Sequence, residues 1–342
     1  MLAPEFHWCH QISVTSMCSP KTPDGKLTGC SNCTRLLQHE QKRYFMSPEQ
    51  FEQCAEVAKD FTTSSKPCPQ GRRKVIGVFG GDPLLSPWFP DYVDIICSKI
   101  PDSWNRGLWC SLDFHVYKHP KYGAALPHVM KLLGHPNGAV YDSERTSQRS
   151  GGYLNFNRHD DFDPNRHQSL CQHQPVLVAI KDVVKDEKRK WELISKCWIP
   201  EQWSAAYGLD HNGEPKFWWC EIASGHDRVF NLGVGLPVEK DCWRGDLWFE
   251  NDENGVPQPK GKFAHQILAT CTGCGAALPL PGRRDLEYRD DISPSNVAAL
   301  QAAGSPMVAR GDYVEFGLQQ IEQYSEAGVP GWNPQRYLKG KG

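Results

Sequence analysis

Residues 74–83 read KVIGVFGGDP, a short and almost wholly apolar run that ends in paired glycines. A continuous apolar run of this length predicts a strand that is buried on both faces of a parallel sheet. Paired glycines let the backbone approach a ligand closely, and their N–H and C=O groups can bind it without a side chain in the way. The sequence therefore predicts a strand over residues 74–79 and, after it, a candidate binding loop that consists of Gly80, Gly81, Asp82 and Pro83.

A strand is also predicted upstream, at residues 11–17, where apolar and hydroxyl side chains alternate. It leads directly into Cys18, and Cys30 and Cys33 follow in the same loop. Three cysteines without an obvious fourth partner suit a 4Fe–4S cluster that leaves one iron open, whereas a structural zinc site needs four closed ligands. Because working residues follow the C-terminal ends of barrel strands, the cysteine loop and the glycine loop are expected to face one another.

The elements around these strands alternate between helix and strand. Ser47, Pro48 and Gln50 predict a capping box at the start of a helix, and the apolar stripe of that helix includes Cys54. This alternation favours a parallel α/β barrel or open sheet. The further elements predicted along the chain are a helix at 92–100, strands at 108–112, 153–156 and 176–180, helices at 185–195 and 294–303, and a strand at 313–316.

A cysteine triad after the first strand and a Gly-Gly-Glu-Pro-like motif after the second resemble the signature of the radical S-adenosylmethionine (SAM) superfamily, over residues 10–196. The resemblance implies a partial (β/α)6 TIM-like barrel, with a 4Fe–4S cluster on Cys18, Cys30 and Cys33 and with SAM against the loop from Gly80 to Pro83. It further implies reductive cleavage of SAM to a 5′-deoxyadenosyl radical that abstracts hydrogen from a substrate. A reducing partner such as flavodoxin or ferredoxin belongs to this scheme.

Three features of this sequence depart from the usual superfamily pattern. Eleven residues separate Cys18 from Cys30, more than in the usual triad, and Asn32 stands where an aromatic residue is usual. Asp82 stands where the second motif usually has glutamate, so its carboxylate must reach slightly farther toward the amine of SAM. None of these departures removes a cluster ligand, and together they leave the subfamily open.

After Cys197 the chain becomes dense in Trp, Gly, Pro and Cys, which predicts a boundary near residue 196. The segment resembles the extension called SPASM, or its shorter twitch form, which binds auxiliary iron–sulfur clusters. Four thiolates could equally close around zinc, and the resemblance favours iron–sulfur. The predicted ligands are Cys197, Cys220, Cys271 and Cys274, with Cys242 as a possible replacement. The predicted domains are a radical SAM partial barrel at 1–196, a smaller cysteine-rich auxiliary-cluster domain at 197–330 and a loose tail at 331–342.

Composition limits the class of protein. The chain has 342 residues, 39% of them hydrophobic, which indicates a folded protein, and its net charge of −2 argues against nucleic acid as the main partner. The N-terminus has no basic and apolar leader, and no window is long enough to span a bilayer, so we expect a cytoplasmic protein that does not enter the membrane. Fourteen cysteines in a reducing compartment are expected to be metal ligands or small buried hydrophobes.

Other cysteines and polar clusters have less specific interpretations. Cys54, Cys97 and Cys110 are expected in the core, while Cys9, Cys68 and Cys171 have no usable pattern. A zinc knuckle that pairs Cys30 and Cys33 with Cys271 and Cys274 is disfavoured, because it leaves Cys18 and the glycine motif unexplained. Three polar clusters remain: residues 158–163 with His167 and His173 as a metal or acid–base candidate, and residues 283–285 and 289–291 as a solvated or internally paired surface.

Two functions from different classes follow. The first is a radical SAM enzyme with an unidentified substrate, for which relatives with auxiliary clusters leave peptides, proteins, sugars and alcohols open. The second is a zinc-stabilised, non-catalytic binding protein. Iron and labile sulfide would favour the enzyme, and zinc alone would favour the binding protein.

Overall fold

The structure is a computed structural model that describes residues 1–18, 30–69, 71–110, 124–134, 152–156, 173–278, 280 and 289–316. Several predicted features lie outside the described residues. They are the polar cluster at 158–163, His167, Cys171, the charged cluster at 283–285 and the tail at 331–342.

The central feature is a seven-stranded, mostly parallel sheet. Its strands are β1 (Cys9–Ser13), β2 (Val75–Phe79), β3 (Arg106–Cys110), β4 (Tyr153–Phe156), β5 (Ser204–Leu209), β6 (Pro215–Trp218) and β7 (Leu236–Pro237). The order is β4-β3-β2-β1-β5-β6-β7, and only the β5–β6 and β6–β7 pairs are antiparallel. The predicted α/β class is confirmed, and none of the sheets formed by the described residues closes into a barrel.

Two small sheets lie outside the central one. β8 (Leu247–Asn251) and β9 (Pro257–Gly261) form an antiparallel hairpin. β10 (Asp290–Ile292) and β11 (Tyr313–Glu315) pair in parallel, although residues 293–312 separate them along the chain. The strand β10 matters for the candidate site, because its first two residues contact the cysteine loop.

The longest helix begins where the sequence predicts. The hydroxyl of Ser47 accepts a hydrogen bond from the backbone N–H of Gln50 at 3.3 Å, and the Gln50 side chain accepts one from the N–H of Ser47 at 3.0 Å. This capping box satisfies two N–H groups that the first turn leaves without helical partners. The helices are α1 (Pro48–Thr62), α2 (Phe89–Lys99), α3 (Leu126–Leu133), α4 (Ile180–Val183), α5 (Glu187–Ser195), α6 (Ile199–Gln202), α7 (Glu221–Phe230), α8 (Ala264–Thr270), α9 (Pro294–Ala302) and α10 (Pro306–Arg310).

Helix α1 packs on the sheet through one face. Its buried residues Phe51, Cys54, Ala55, Ala58 and Phe61 recur at three- and four-residue steps, as predicted, so Cys54 is a core residue. Cys110, in β3, is also buried, whereas Cys97 is half-buried against the core. Burial of one helical stripe against the strands is the main source of stability for such a layer.

Two predicted strands differ from the structure. The first strand ends at Ser13 and does not continue to residue 17, and beyond it Thr15 forms an isolated antiparallel bridge with Phe45. The strand at 176–180 is wrong: these residues form a buried turn that leads into α4, and the Val178 N–H donates to the Pro175 carbonyl at 3.1 Å. A short apolar run is typical of any buried segment, and periodicity alone does not separate a strand from a buried turn.

The sheet continues across the predicted boundary near residue 196. Cys9 pairs with Ser204 and Ile12 with Tyr207, so β5 lies directly beside β1. The segment after residue 196 thus supplies three of the seven strands. In the described part of the chain, no helix is both long and apolar enough to cross a membrane.

Candidate functional site

The glycine loop and the cysteine loop lie against one another. β1 and β2 run parallel with Ser13 opposite Phe79, so both strands end at the same edge of the sheet. Beyond that edge, the Gly81 N–H donates to the Thr15 carbonyl at 2.8 Å, and the Asp82 N–H donates to the Met17 carbonyl at 2.7 Å. Main-chain hydrogen bonds thus join the glycine loop to the segment that leads into Cys18, in agreement with the predicted arrangement of the two loops, while residues 19–29 of the cysteine loop lie outside the described residues.

Both glycines of the loop are required by this contact. Gly80 has a φ of +148°, and a Cβ there would lie 2.5 Å from the Thr15 carbonyl oxygen. A Cβ on Gly81 would lie 2.5 Å from the Met17 carbonyl carbon and 3.0 Å from the Cys18 nitrogen. A side chain at either position would therefore push the loops apart, whether or not a ligand is bound.

Asp82 and Pro83 shape the turn that follows. Asp82 is buried, and its Oδ1 accepts a hydrogen bond from the Leu84 N–H at 3.2 Å, so the carboxylate caps the 3-10 turn Pro83–Leu85. A carboxylate used as an N-cap is fixed in orientation. Of the four predicted residues of the glycine loop, Asp82 thus has a structural role that the sequence motif did not indicate.

The cysteines of the triad differ in how far they are buried. Cys18 follows directly on Met17 and is half-buried, Cys30 is half-buried and Cys33 is buried. Burial raises the pKa of the Cys33 thiol, while the backbone N–H groups of Leu37 and Arg35 next to the sulfur act in the opposite direction. Amide donors directed at a sulfur stabilise its thiolate form, which is the form that binds a metal. Burial is the larger effect at Cys33, so its pKa is raised overall, and the two amides reduce that effect.

Asn32 links the cysteine loop to the C-terminal part of the chain. It is buried and adopts a left-handed backbone conformation, with φ of +54°, which asparagine tolerates better than most residues. Its backbone N–H donates to Oδ1 of Asp290, and its side-chain amide donates to Oδ2 of Asp291 at 3.0 Å. Its Oδ1 accepts from the Asp291 N–H at 2.9 Å. Asn32 is therefore a structural link between the cysteine loop and β10.

The carboxylate of Asp290 also contacts the 3-10 turn Leu37–His39, which follows the cysteine loop. Oδ2 of Asp290 pairs with Nε2 of His39 at 3.0 Å, and Nδ1 of His39 lies 2.7 Å from the hydroxyl of Ser305. The sequence predicted a solvated or internally paired surface at residues 289–291. The pairing is present but the solvation is wrong, because Asp290 is fully buried and Asp291 is 4% exposed.

The four C-terminal cysteines converge on one region. Burial raises the pKa of Cys220, and the neighbouring thiols of Cys197 and Cys274 raise it further. Burial likewise raises the pKa of Cys271, with further contributions from Cys274, Cys197 and Cys220. Burial also raises the pKa of Cys274, to about 12, while the Ala276 N–H, which lies 3.4 Å from the sulfur, acts in the opposite direction. The structure thus brings together the four residues that the sequence predicted as one ligand set.

Short backbone contacts position the Cys271–Cys274 loop. Asn296 donates through its side-chain amide to the carbonyls of Gly273 at 2.8 Å and Leu177 at 2.7 Å. The Gly275 N–H donates to the Val176 carbonyl at 3.0 Å, and a Cβ on Gly275 would lie 2.7 Å from the Val178 carbonyl oxygen. The buried turn at 175–179 therefore packs directly against this loop and is joined to it by a main-chain hydrogen bond.

Across residues 1–18, 30–69 and the remaining described segments, no three His, Cys, Asp or Glu side chains already lie in an arrangement that could hold a metal ion. The chemistry of the C-terminal donor set fits a soft metal or an iron–sulfur cluster, because it consists of four neighbouring thiols, two in buried and two in half-buried residues, with amide donors near two of the sulfurs.

The remaining cysteines lie elsewhere. Cys242 neighbours Cys54 and Tyr207 and is separate from the four-cysteine group, so the structure gives no support to its replacing a member. Cys9 and Cys68 belong to a small apolar cluster. Cys271 and Cys274 group with Cys197 and Cys220, which leaves the alternative zinc knuckle without support.

A buried polar contact joins the two cysteine regions, and the sequence analysis missed it. Arg35 and Glu221 each lie within two residues of a predicted ligand, and each is buried. Burial raises the pKa of Glu221 to about 7, although the hydroxyls of Thr34 and Ser204 and the charge of Arg35 lower it. No local pattern marks these residues, because their partners come from distant parts of the chain.

The sequence matches no protein-family model and no curated protein at a significant level.

Proposed function

We propose that this chain is a radical SAM enzyme built on a partial (β/α)6 barrel. The observation that supports the proposal is the hydrogen-bonded contact between the glycine motif after β2 and residues Thr15 and Met17 after β1, directly before the first cysteine of the triad, at the C-terminal edge of a parallel sheet. Ligand sites of parallel α/β proteins lie at this edge. The order of the two motifs along the chain and their contact agree with the superfamily pattern.

In this proposal Cys18, Cys30 and Cys33 hold a 4Fe–4S cluster, and Gly80, Gly81, Asp82 and Pro83 line the methionine part of SAM. When bound and reduced, such a cluster would supply the electron for reductive cleavage of SAM. The chain's own part is to orient these groups: Gly80 and Gly81 let the glycine loop lie directly against the backbone of residues 15–18, and the amides of Arg35 and Leu37 act against the effect of burial on the Cys33 thiol.

The four C-terminal thiols hold an auxiliary iron–sulfur cluster in this proposal. A cluster bound by four thiolates has no open iron, so its role is electron transfer or structure and not direct chemistry on SAM. The substrate class stays open between a peptide or protein and a sugar or other small molecule. The enzyme works in the cytoplasm, where a flavodoxin or ferredoxin supplies electrons and thiols stay reduced.

The test starts from anaerobically purified and reconstituted protein. Wild-type protein should contain iron and labile sulfide and should form 5′-deoxyadenosine from SAM when reduced with dithionite. The Cys18→Ala/Cys30→Ala/Cys33→Ala variant should form none, while Cys97→Ala, which removes a half-buried cysteine outside both groups, should behave as wild type.

The proposal fails if the triple variant still forms 5′-deoxyadenosine. Zinc without iron or sulfide in the wild-type protein would instead support the zinc-stabilised binding protein.

A further inference from the structure

A small cavity lies beside the segment that follows the cysteine loop. It has a volume of about 30 Å³, which is room for about two water molecules. Its lining includes His39, Glu40, Lys42, His211, Arg228 and Ala303, which come from that segment, the β5–β6 turn, the end of α7 and the end of α9. Lys42 and His211 are exposed whereas Glu40 and Arg228 are buried, so the cavity leads from the surface to the buried pair.

A buried ion pair forms the floor of this cavity. Nε of Arg228 lies 2.9 Å from Oε2 of Glu40, and these side chains are only 7% and 3% exposed. The guanidinium is also held by the main chain, because Nη1 donates to the Leu209 carbonyl at 3.2 Å and Nη2 donates to the Lys42 carbonyl at 3.1 Å. Its central carbon lies 4.4 Å from the centroid of the Tyr44 ring. Arg228 is therefore fixed, and it holds the Glu40 carboxylate in place.

The Glu40 carboxylate has an unused acceptor. Its Oε1 is buried and accepts no hydrogen bond from any residue that the structure describes. A buried polar atom without a partner is unfavourable, and an ionised carboxylate can accept several hydrogen bonds. Because Glu40 lines the cavity, a group inside the cavity can supply the missing donor. A volume of about 30 Å³ admits an amino or hydroxyl group, but not a whole metabolite.

The mouth of the cavity favours a negative group. The charges of Glu40 and Arg228 balance, so the ammonium group of Lys42 gives the lining a net positive charge, to which His211 adds when it is protonated. An exposed cation attracts an anion only modestly, because water and salt screen the interaction. A ligand that meets both requirements has a donor group inside the cavity and a negative group next to it.

We propose that this cavity binds a small carboxylate with a neighbouring amino or hydroxyl group, that is, an amino acid or a hydroxy acid. The amino or hydroxyl group donates to Oε1 of Glu40, and the carboxylate of the ligand lies at the mouth beside Lys42 and His211. This inference does not rest on the proposed function, because none of these residues is a predicted cluster ligand or part of the glycine loop.

The experiment is a ligand-observed NMR titration of the full chain with glycine, glycolate, acetate and ethanolamine. Glycine and glycolate carry both groups, whereas acetate lacks the donor and ethanolamine lacks the negative group. Acetate should bind about tenfold more weakly than the better of glycine and glycolate, because it loses a hydrogen bond to a charged group. Ethanolamine should bind about threefold more weakly, because it loses only an exposed attraction. Tighter binding of glycine identifies an amino acid site, and tighter binding of glycolate a hydroxy acid site.

Variants assign the binding to the cavity. Lys42→Met should weaken the better ligand by about threefold, and Lys185→Met is the matched control, because Lys185 is also exposed but does not line the cavity. Glu40→Gln, which replaces the ionised acceptor with a neutral amide, should weaken it by about fivefold. Urea denaturation shows whether this buried substitution leaves the fold intact, and the exposed Lys42→Met variant tests the site without that condition.

The inference is overturned if none of the four compounds binds, if acetate and ethanolamine bind as tightly as glycine and glycolate, or if Lys42→Met binds like Lys185→Met. Iron content does not enter these measurements, so their failure is separate from a failure of the proposed function.

Discussion

Replacing Gly81 by alanine should separate the two loops that form the candidate site. The added Cβ would lie 2.5 Å from the Met17 carbonyl carbon and 3.0 Å from the Cys18 nitrogen, and both of these atoms are backbone. No side-chain rotation can relieve the overlap, so the loop itself must move. Movement would weaken the hydrogen bonds from Gly81 to Thr15 and from Asp82 to Met17, which measure 2.8 Å and 2.7 Å.

The expected loss of unfolding free energy combines overpacking with these weakened hydrogen bonds, and is about 3 kcal/mol. Urea denaturation of Gly81→Ala and wild type measures it. Gly208→Ala is the matched control, because its Cβ would lie 3.4 Å from the Cβ of Ser13, an ordinary contact, in the neighbouring strand β5. The control should stay within about 1 kcal/mol of wild type.

Calorimetry with SAM separates packing from binding. If SAM also lies against Gly81, the affinity of Gly81→Ala for SAM should fall together with its stability, while Gly208→Ala keeps both. Equal unfolding free energies for Gly81→Ala and Gly208→Ala would refute the packing argument. Lost stability with unchanged affinity would show that the glycine serves the loop contact alone.

Three further changes test other parts of the molecule. Asn32→Ala should lower the unfolding free energy by about 2 kcal/mol, measured by urea denaturation. The change removes a hydrogen-bond donor from the buried Asp291 carboxylate, and alanine adopts the positive φ at this position less readily than asparagine. An unchanged denaturation midpoint would contradict this link. Burial lowers the pKa of His7 from 6.5 to about 3. Between pH 6.5 and about pH 3, the unfolded chain therefore binds a proton at this residue that the folded chain does not bind. The contribution of neutral, buried His7 to the unfolding free energy is complete above pH 6.5 and falls by about 1.4 kcal/mol per pH unit below it. Urea denaturation at about pH 7.5 and about pH 5.5 measures this slope, and His7→Gln should reduce it. Cys271→Ala/Cys274→Ala should lower the iron content by about one cluster and keep SAM cleavage, and a variant that keeps all its metal would exclude these cysteines as ligands.

The local parts of the fold and site could be predicted from sequence. The capping box of α1 depends on residues three positions apart, and the apolar run of β2 is continuous, so each carries its own signal. The contact between the loops after β1 and β2 follows from two adjacent parallel strands that end at one edge. The grouping of the four C-terminal cysteines was predicted from a resemblance, and the structure places their thiols near one another.

The long-range parts could not be predicted in this way. Asp290 and Asp291 belong to a stretch of mixed charge, a pattern typical of surfaces, and they are buried only because Asn32 and His39 provide donors. Asn32 and Asp290 are 258 residues apart in the chain, and nothing in either neighbourhood indicates the other. The buried turn at 175–179 was missed for a related reason, because its hydrogen bonds go partly to the Cys274–Gly275 backbone.

These long-range contacts decide how the candidate site must be understood. The cysteine loop after β1 is held by Asp290 and Asp291 through Asn32, and by Ser224 of α7 through Arg35. Both sets of partners lie beyond residue 196, and β5 from the same part of the chain pairs with β1 along its length. The chemical groups of the triad are supplied by the first part of the sequence, but their positions depend on the last part. An N-terminal fragment that contained every residue of the triad and the glycine loop would therefore lack the contacts that orient them, so the geometry of the site is a property of the whole chain.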